Sequence, residues 1–369
     1  MPTANMPVSP SPSVRSSARA QIFSRRRRAR ITLLVLAIAL VVVVLASVGL
    51  GAVRISVPQL LAILARKIGW TLEVDFSAQQ FNVLWDIRLP RVLFAVLFGA
   101  ALAVSGAAIQ GLFRNPLADP GLIGVSSGAA LTSVIYIVAA GLLPFWLREL
   151  PLQPVAGFAG GLLATLIVYA FGRSNWRSSV ATMLLAGIAI NAFASAGTGL
   201  VTLVANDAQL RSITFWLLGS LGGATWHGVY IATLPILLPI IIVIGQSRAL
   251  NALLLGEEEA RHLGYSVTLT RRVVIISSAV MVGTAVAASG IIGFVGLVVP
   301  HLLRLMIGAD HRYLLPGSAL LGALLLSLAD LLCRIVIAPV EVPIGVVTSI
   351  IGAPFFLWLL RRQRKQVLA

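Results

Sequence analysis

"ITLLVLAIALVVVVLASVGLG", residues 31–51, carries no charge and no proline over 21 consecutive positions. At 1.5 Å per residue a helix needs about 20 apolar residues to cross the ~30 Å hydrocarbon core of a bilayer. A secretory signal has an apolar core of only about 7–15 residues, so this run, preceded by four arginines at 25–28, reads as a retained anchor helix. The rest of the chain repeats the pattern. Its 369 residues are 58% hydrophobic and 11% charged, and the mean hydropathy is +0.97. The fold class is therefore an all-α polytopic membrane protein with about ten transmembrane helices, its surface solvated by membrane lipid.

The formal net charge of +16 does not indicate a nucleic-acid partner, because the cations stand beside apolar spans. Residues 25–28 with Arg30, the pair Arg271 and Arg272, and Arg361, Arg362, Arg364 and Lys365 form such clusters. This is the distribution of a topology signal, since Lys and Arg are retained on the cytoplasmic side. The single cysteine, Cys333, excludes a disulfide framework and a cysteine-based metal cluster.

Ten spans are expected near 31–51, 91–112, 121–142, 154–172, 179–204, 228–247, 272–289, 291–307, 313–335 and 343–360, with a break at Ser289 and Gly290. With the N-terminus inside, the 28 Lys and Arg divide as 20 cytoplasmic and eight external, which favours an even span count and both termini in the cytoplasm. Residues 1–30, rich in Ser, Pro and Arg, read as a disordered basic cytoplasmic tail. Residues 31–362 read as one membrane domain, and 363–369 as a second cytoplasmic tail. Five spans per half would run in opposite directions, as in an inverted repeat. "GVSSGAALTS" (124–133) and "PGSALLGALL" (316–325) are loosely alike.

An ion-coupled carrier keeps ionisable groups at mid-membrane depth. Here the acids lie in loops or near span ends, with Asp330 the main exception, and Arg334 is its i+4 neighbour on the same helix face. That pair reads as a helix-end ion pair. Neither lysine, Lys67 nor Lys365, follows a phosphate-cradling glycine pattern, and no H-E-x-x-H or G-x-S-x-G occurs. If ATP drives this protein, a separate protein hydrolyses it. A proton-coupled secondary transporter and a signalling protein on a disused transport fold are the other classes to separate from this one.

"GEEEARHLGYSV" (256–267) is the conspicuous exception to the apolar composition. Burying its three glutamates and one arginine in the bilayer would cost roughly 10 kcal/mol even on lenient insertion scales, so it belongs in the cytoplasmic loop between the sixth and seventh spans. Three acids in the first turn suit the helix dipole, Glu257 and Arg261 are i+4 partners, and Gly264 is a natural stop. A short helix is expected, with Ala260 and Leu263 as its apolar side.

This segment resembles the coupling region of the BtuC/FecCD family, the permease subunits of ABC importers for vitamin B12, ferric siderophores and haem. "IRLPRVLFAVLFGAALAVSGAAIQGLFRNPLADPGLIGVSSGAAL" (87–131), "LLAGIAIN" (184–191), "GIIGFVGLVVPHLLRLMIGADHR" (290–312) and "PVEVPIGVVTSIIGAPFFLWLL" (339–360) are similar to the family's other blocks, in order, so that the likeness spans about 31–362. The resemblance implies a type II ABC importer permease fold and a homodimer with the pathway at its interface. It also implies two ABC ATPase subunits below, holding ATP and Mg so that this subunit needs no cofactor, and a periplasmic or lipid-anchored binding protein above. It implies that Glu257, Glu258, Glu259, Arg261, His262 and Gly264 meet the ATPase. Arg88, Arg91 and Arg334 would receive the binding protein's acids, and Asn115 and Leu117 would form the cytoplasmic gate. No catalytic or metal-binding residue is expected. "FWLLGSLGGATW" (215–226) looks most like haem-uptake members, placing haem ahead of ferric siderophores and cobalamin as cargo. His227 is the histidine positioned to meet it.

Overall fold

The computed structural model describes residues 12–367 except 52, 149, 175–176, 179 and 338–339. The chain order is α1 (Pro12–Gly49), α2 (Val57–Lys67), α3 (Ala78–Asn82), a π-helical turn (Val83–Arg88) and α4 (Leu89–Leu112). A 3-10 turn (Pro120–Ile123) leads to α5 (Val125–Ala139), α6 (Phe145–Arg148) and α7 (Leu152–Phe171), followed by a two-residue hairpin, β1 (Arg173–Ser174) with β2 (Arg177–Ser178). Then come α8 (Val180–Leu203), α9 (Asp207–Leu218), α10 (Trp226–Gly245), α11 (Ser247–Leu255), α12 (Glu257–His262) and α13 (Val267–Ser289). The chain ends in α14 (Val295–Ile307), α15 (His311–Ile335) and α16 (Ile344–Val367).

Each of the ten expected spans corresponds to one of α1, α4, α5, α7, α8, α10, α13, α14, α15 and α16. Among the described residues, eight stretches are long and apolar enough to cross a membrane; Val295–Ile307 and Ile344–Trp358 are shorter apolar helices. α14 is short because the chain does not resume helix after Gly290. Gly290 ends α13 at φ 73°, and Phe294 begins α14 in the left-handed region at φ 65°, strained for a residue with a side chain. The 291–307 span is thus helical only from Val295.

Helix extends into both tails. The helix α1 begins at Pro12, so the segment read as a disordered tail is helical over 12–30, its positive charge carried on a helix continuous with the first span. Residues 1–11 lie outside the described residues. At the other end α16 runs on to Val367 through most of 363–369. A run of good helix formers attached to an existing helix extends it without a new nucleation cost.

Glycines bring the central helices together. α4 packs on α15 where Gly99 meets Gly322, and on α14 where Gly106 faces the Gly296 backbone; α5 packs on α7 at Gly128 and Gly160. A Cβ at Gly99, Gly106, Gly128, Gly160 or Gly322 would collide with the opposing helix, so backbones approach as closely as small-residue crossings in membranes allow. α4 is consequently almost wholly buried at the centre.

Contacts sort the helix ends into two levels. The ends of α1 and α15 and the starts of α4 and α16 gather at one. The end of α4, the starts of α5 and α15, and α11 gather at the other. α5 and α15 thus run the same way, so the likeness between 124–133 and 316–325 is no sign of an inverted repeat. The segment 53–88 between α1 and α4, for which the sequence suggested no element, forms α2 and α3, each opened by a Ser-Gln capping box. Its own small core joins Ile55, Leu60 and Ile63 to Val48, Leu84 and Val92.

Candidate functional site

Three groups of polar side chains mark this otherwise apolar chain: an acidic loop helix, a turn below α4, and an ionic cluster at the opposite end.

The loop helix is α12, six residues between Gly256 (φ 140°) and Gly264 (φ 85°). Its end is a Schellman motif: the Tyr265 N–H donates to Ala260 O (3.0 Å) and the Gly264 N–H to Arg261 O (2.9 Å). Ala260 is fully buried beneath it. Glu258, Glu259, Arg261, His262, Leu263 and Gly264 face outward, with Leu263 60% exposed. Glu257 differs from its neighbours. It lies 3.7 Å from Arg261, as spacing suggested, but is bound more tightly elsewhere: Arg271 Nη2 donates to its Oε1 at 2.6 Å. Glu258 and Glu259 are thus exposed, while the half-buried Glu257 is turned toward α13.

The turn below α4 contains Asn115 and Leu117. Asn115 Oδ1 accepts the Leu117 N–H (2.9 Å), and Asp119 Oδ1 accepts the Gly121 N–H (2.7 Å), so two side-chain turns fix the loop in place of regular structure. Burial pushes the Asp119 carboxyl above the usual carboxylate range, opposed in part by that N–H. Asn191 of α8 ties the loop from the side. Its Nδ2 donates to Gly121 O (3.2 Å), and its Oδ1 accepts from Ser127 Oγ (2.5 Å). Gln110 holds the other flank, donating to Gly296 O and accepting from Arg304 Nη1. Asn191 was visible as the one strongly polar residue in "LLAGIAIN", but nothing in the sequence told what it would grip.

The ionic cluster brings Arg88, Arg91 and Arg334 together, and buries them. Arg91 Nε pairs with Asp330 Oδ1 (2.7 Å), and its Nη1 with both oxygens of Glu341 (2.8 Å each). Arg334 Nε lies 3.2 Å from Asp330 Oδ2, the helix-end pair expected at i+4. Arg88 donates to the carbonyls of Val48 (2.8 Å), Gly49 (3.0 Å) and Val53, and Arg334 to that of Ser47 (3.0 Å). Those of Ser47, Val48 and Gly49 are among the last carbonyls of α1, left without intrahelical donors and served by no basic residue in its own last turn; Val53 lies in the loop that follows. A cation there also suits the negative end of the helix dipole. Arg88 is 4% exposed and the Asp330 side chain 1%, whereas Glu341 is 52% exposed. Within this chain α1 and Asp330 occupy these arginines, and Glu341 is what the cluster shows to solvent. The π turn that ends in Arg88 follows from Pro90, which has no N–H to close a helical bond to residue 86.

Residues 39–362 match the FecCD transport family. The chain belongs to the FecCD transport family. This FecCD protein is 51% identical over 286 residues to the hemin transport system permease protein HmuU of Yersinia pestis, covering 78% of this chain and 85% of the relative. It is 44% identical over 313 residues to the vitamin B12 import system permease protein BtuC of Escherichia coli O6:H1, covering 83% and 93%. Among solved structures, a metal-chelate type ABC transporter in an inward-facing conformation superposes with a TM-score of 0.77 at 33% identity, over 89% of this chain and 98% of that one. A FecCD protein is a multi-pass transport subunit, and the ten-helix bundle is the importer permease fold.

Proposed function

We propose that this FecCD protein is the transmembrane permease subunit of an ATP-driven importer whose cargo is an iron complex, haem. It works as a homodimer in the cytoplasmic membrane of a bacterium, with both termini in the cytoplasm. A periplasmic or lipid-anchored binding protein delivers cargo from outside, and two ABC ATPase subunits, which hold ATP and Mg, dock below. The observation that carries the cargo reading is the 51% identity to a hemin permease across most of both chains. Cobalamin is the second reading, favoured by the 44% identity to a vitamin B12 permease; a ferric siderophore is the third cargo the family resemblance allows. A Soret band in the binding protein that works with this chain supports haem, and a corrinoid spectrum there supports cobalamin instead.

The geometry suits each role. The face of α8 leaves Leu185, Ile188, Phe193 and Leu200 exposed, an apolar strip available to a second copy. Asn115 and Leu117 sit in a braced turn at the end of α4 where a gate would close. Asp330, the carboxylate a proton-coupled carrier would need, is already committed to two arginines. Glu258, Glu259, Arg261 and Leu263 form the outward surface of α12 that would enter a groove on the ATPase.

Reversing the two outward acids tests that assignment. Glu258→Lys with Glu259→Lys is expected to weaken assembly with the ATPase about tenfold or more, as charge reversal at a complementary interface does, while helical content is unchanged. Assembly at wild-type affinity, measured by titrating ATPase onto the detergent-solubilised permease, contradicts it.

A further inference from the structure

We infer that Arg271 is a positioning residue that, through Glu257, makes α12 move as one body with α13. The inference deepens the ATP-driven reading above and rests on it for its functional consequence.

The mechanical problem is set by the backbone. α12 has six residues and a glycine at each end, Gly256 at φ 140° and Gly264 at φ 85°. Such a segment is a short rod between two permissive joints. Left to itself it would swivel when a partner pushed on it, and the push would be lost in the loop. Two contacts prevent this. Ala260 is fully buried on the inner side, an apolar contact that resists displacement but has little direction. Glu257 supplies the direction. Its carboxylate meets Arg271 Nη2 at 2.6 Å, a short charge-assisted hydrogen bond.

The two partners differ in setting. The Arg271 side chain is 4% exposed and the Glu257 side chain 31%. Arg271 therefore forms a fixed socket in α13, and Glu257 is the pin that α12 inserts into it. The competing pair, Glu257 with Arg261, is longer at 3.7 Å, involves a side chain 55% exposed, and stays within α12. It cannot transmit anything between elements.

From the socket the path is continuous. α13 runs 23 residues without a break to Ser289. There Ser289 O accepts the Ser220 N–H (2.7 Å), and Gly290 packs against the backbone of Trp216 and Gly219. Along the way α13 is buried against α4, α7 and α10. A displacement of α12 by its partner is thus delivered to a helix whose far end grips the 218–220 turn on the opposite side of the bundle.

The tests separate the strut from the ATPase reading. In the purified full chain, with no partner present, hydrogen exchange at residues 257–265 is expected to speed at least about tenfold in Arg271→Gln, because local opening no longer breaks an ion pair. Exchange in α13 over 279–287 is expected to hold. Should Arg271→Gln fail to fold, Glu257→Gln, half-exposed and nearly isosteric, reports the same quantity. Unchanged exchange at 257–265 in the folded variant overturns the inference, whatever drives transport.

In the assembled complex the readout is cargo moved per ATP hydrolysed. That ratio is expected to fall about tenfold in Glu257→Gln, equivalent to losing ~1.4 kcal/mol of coupling, and Glu257→Asp is expected to recover part of it. The exchanged pair Glu257→Arg with Arg271→Glu is expected to recover more than either single change. A ratio that stays at wild type in Glu257→Gln overturns the inference. Failure of the Glu258 and Glu259 reversal to affect assembly would instead overturn the ATPase contact, leaving the exchange result to decide the strut alone.

Discussion

Replacing Asp330 with alanine is expected to destabilise the bundle by about 3–5 kcal/mol, the cost of removing one partner from a buried ion pair. The reason is specific to this cluster. Among the described residues Asp330 is the only carboxylate buried with Arg91 and Arg334, and it engages both. Removing it leaves two guanidinium groups with a single, half-exposed acid, Glu341, bound to one of them. Arg91 and Arg334 would then repel each other and Arg88 in an environment where water cannot screen them. The damage reaches α1 as well, since Arg334 and Arg88 serve its terminal carbonyls. Equilibrium unfolding in detergent, followed by far-UV circular dichroism, measures the loss. Glu341→Gln is the control, because an exposed partner contributes no more than about 1 kcal/mol. Equal stabilities for the two variants would show that the cluster does not hold this end of the bundle.

The second large effect is expected at the crossing of α4 and α14. A side chain at Gly106 has nowhere to go. Its Cβ would overlap the carbonyl and Cα of Gly296, which are backbone atoms on a helix and cannot rotate aside. Gly106→Leu should therefore exceed the ~1–3 kcal/mol of ordinary overpacking and separate the two helices. Gln110 and Arg304, which bridge the same helices, would lose their register. Gly245→Ala, where a Cβ meets nothing within 4 Å, is expected to stay within about 1 kcal/mol. Unfolding of the two variants side by side checks the contrast; a folded Gly106→Leu with wild-type stability would contradict the close crossing.

The parts of the fold legible in the sequence were those governed by local chemistry. Long apolar runs located the ten membrane helices. Gly290 marked the break between α13 and α14, and the acids of 257–259 with Gly264 described α12 down to its cap. What was not legible depends on partners distant in the chain. Arg88, Arg91 and Arg334 read as docking cations, and nothing local shows that the last carbonyls of α1 and the carboxylate of Asp330 also hold them. Glu257, Glu258 and Glu259 read as equivalents, because the socket that distinguishes the first is Arg271, which looked like one half of a topology signal with Arg272. The helices α2, α3 and α9 escaped notice for another reason: they are short and amphipathic, and are stabilised by capping boxes rather than by an apolar run.

On the function proposed above, transport is driven by ATP hydrolysed on a partner and transmitted through α12. This is tested most directly by uptake into proteoliposomes containing this chain and its ATPase, with the loaded binding protein outside. Uptake is predicted to require ATP and Mg inside, to persist when a protonophore collapses the proton gradient, and to persist in Asp330→Asn vesicles that retain folded protein. Uptake that proceeds without the ATPase and stops with the protonophore would contradict the account.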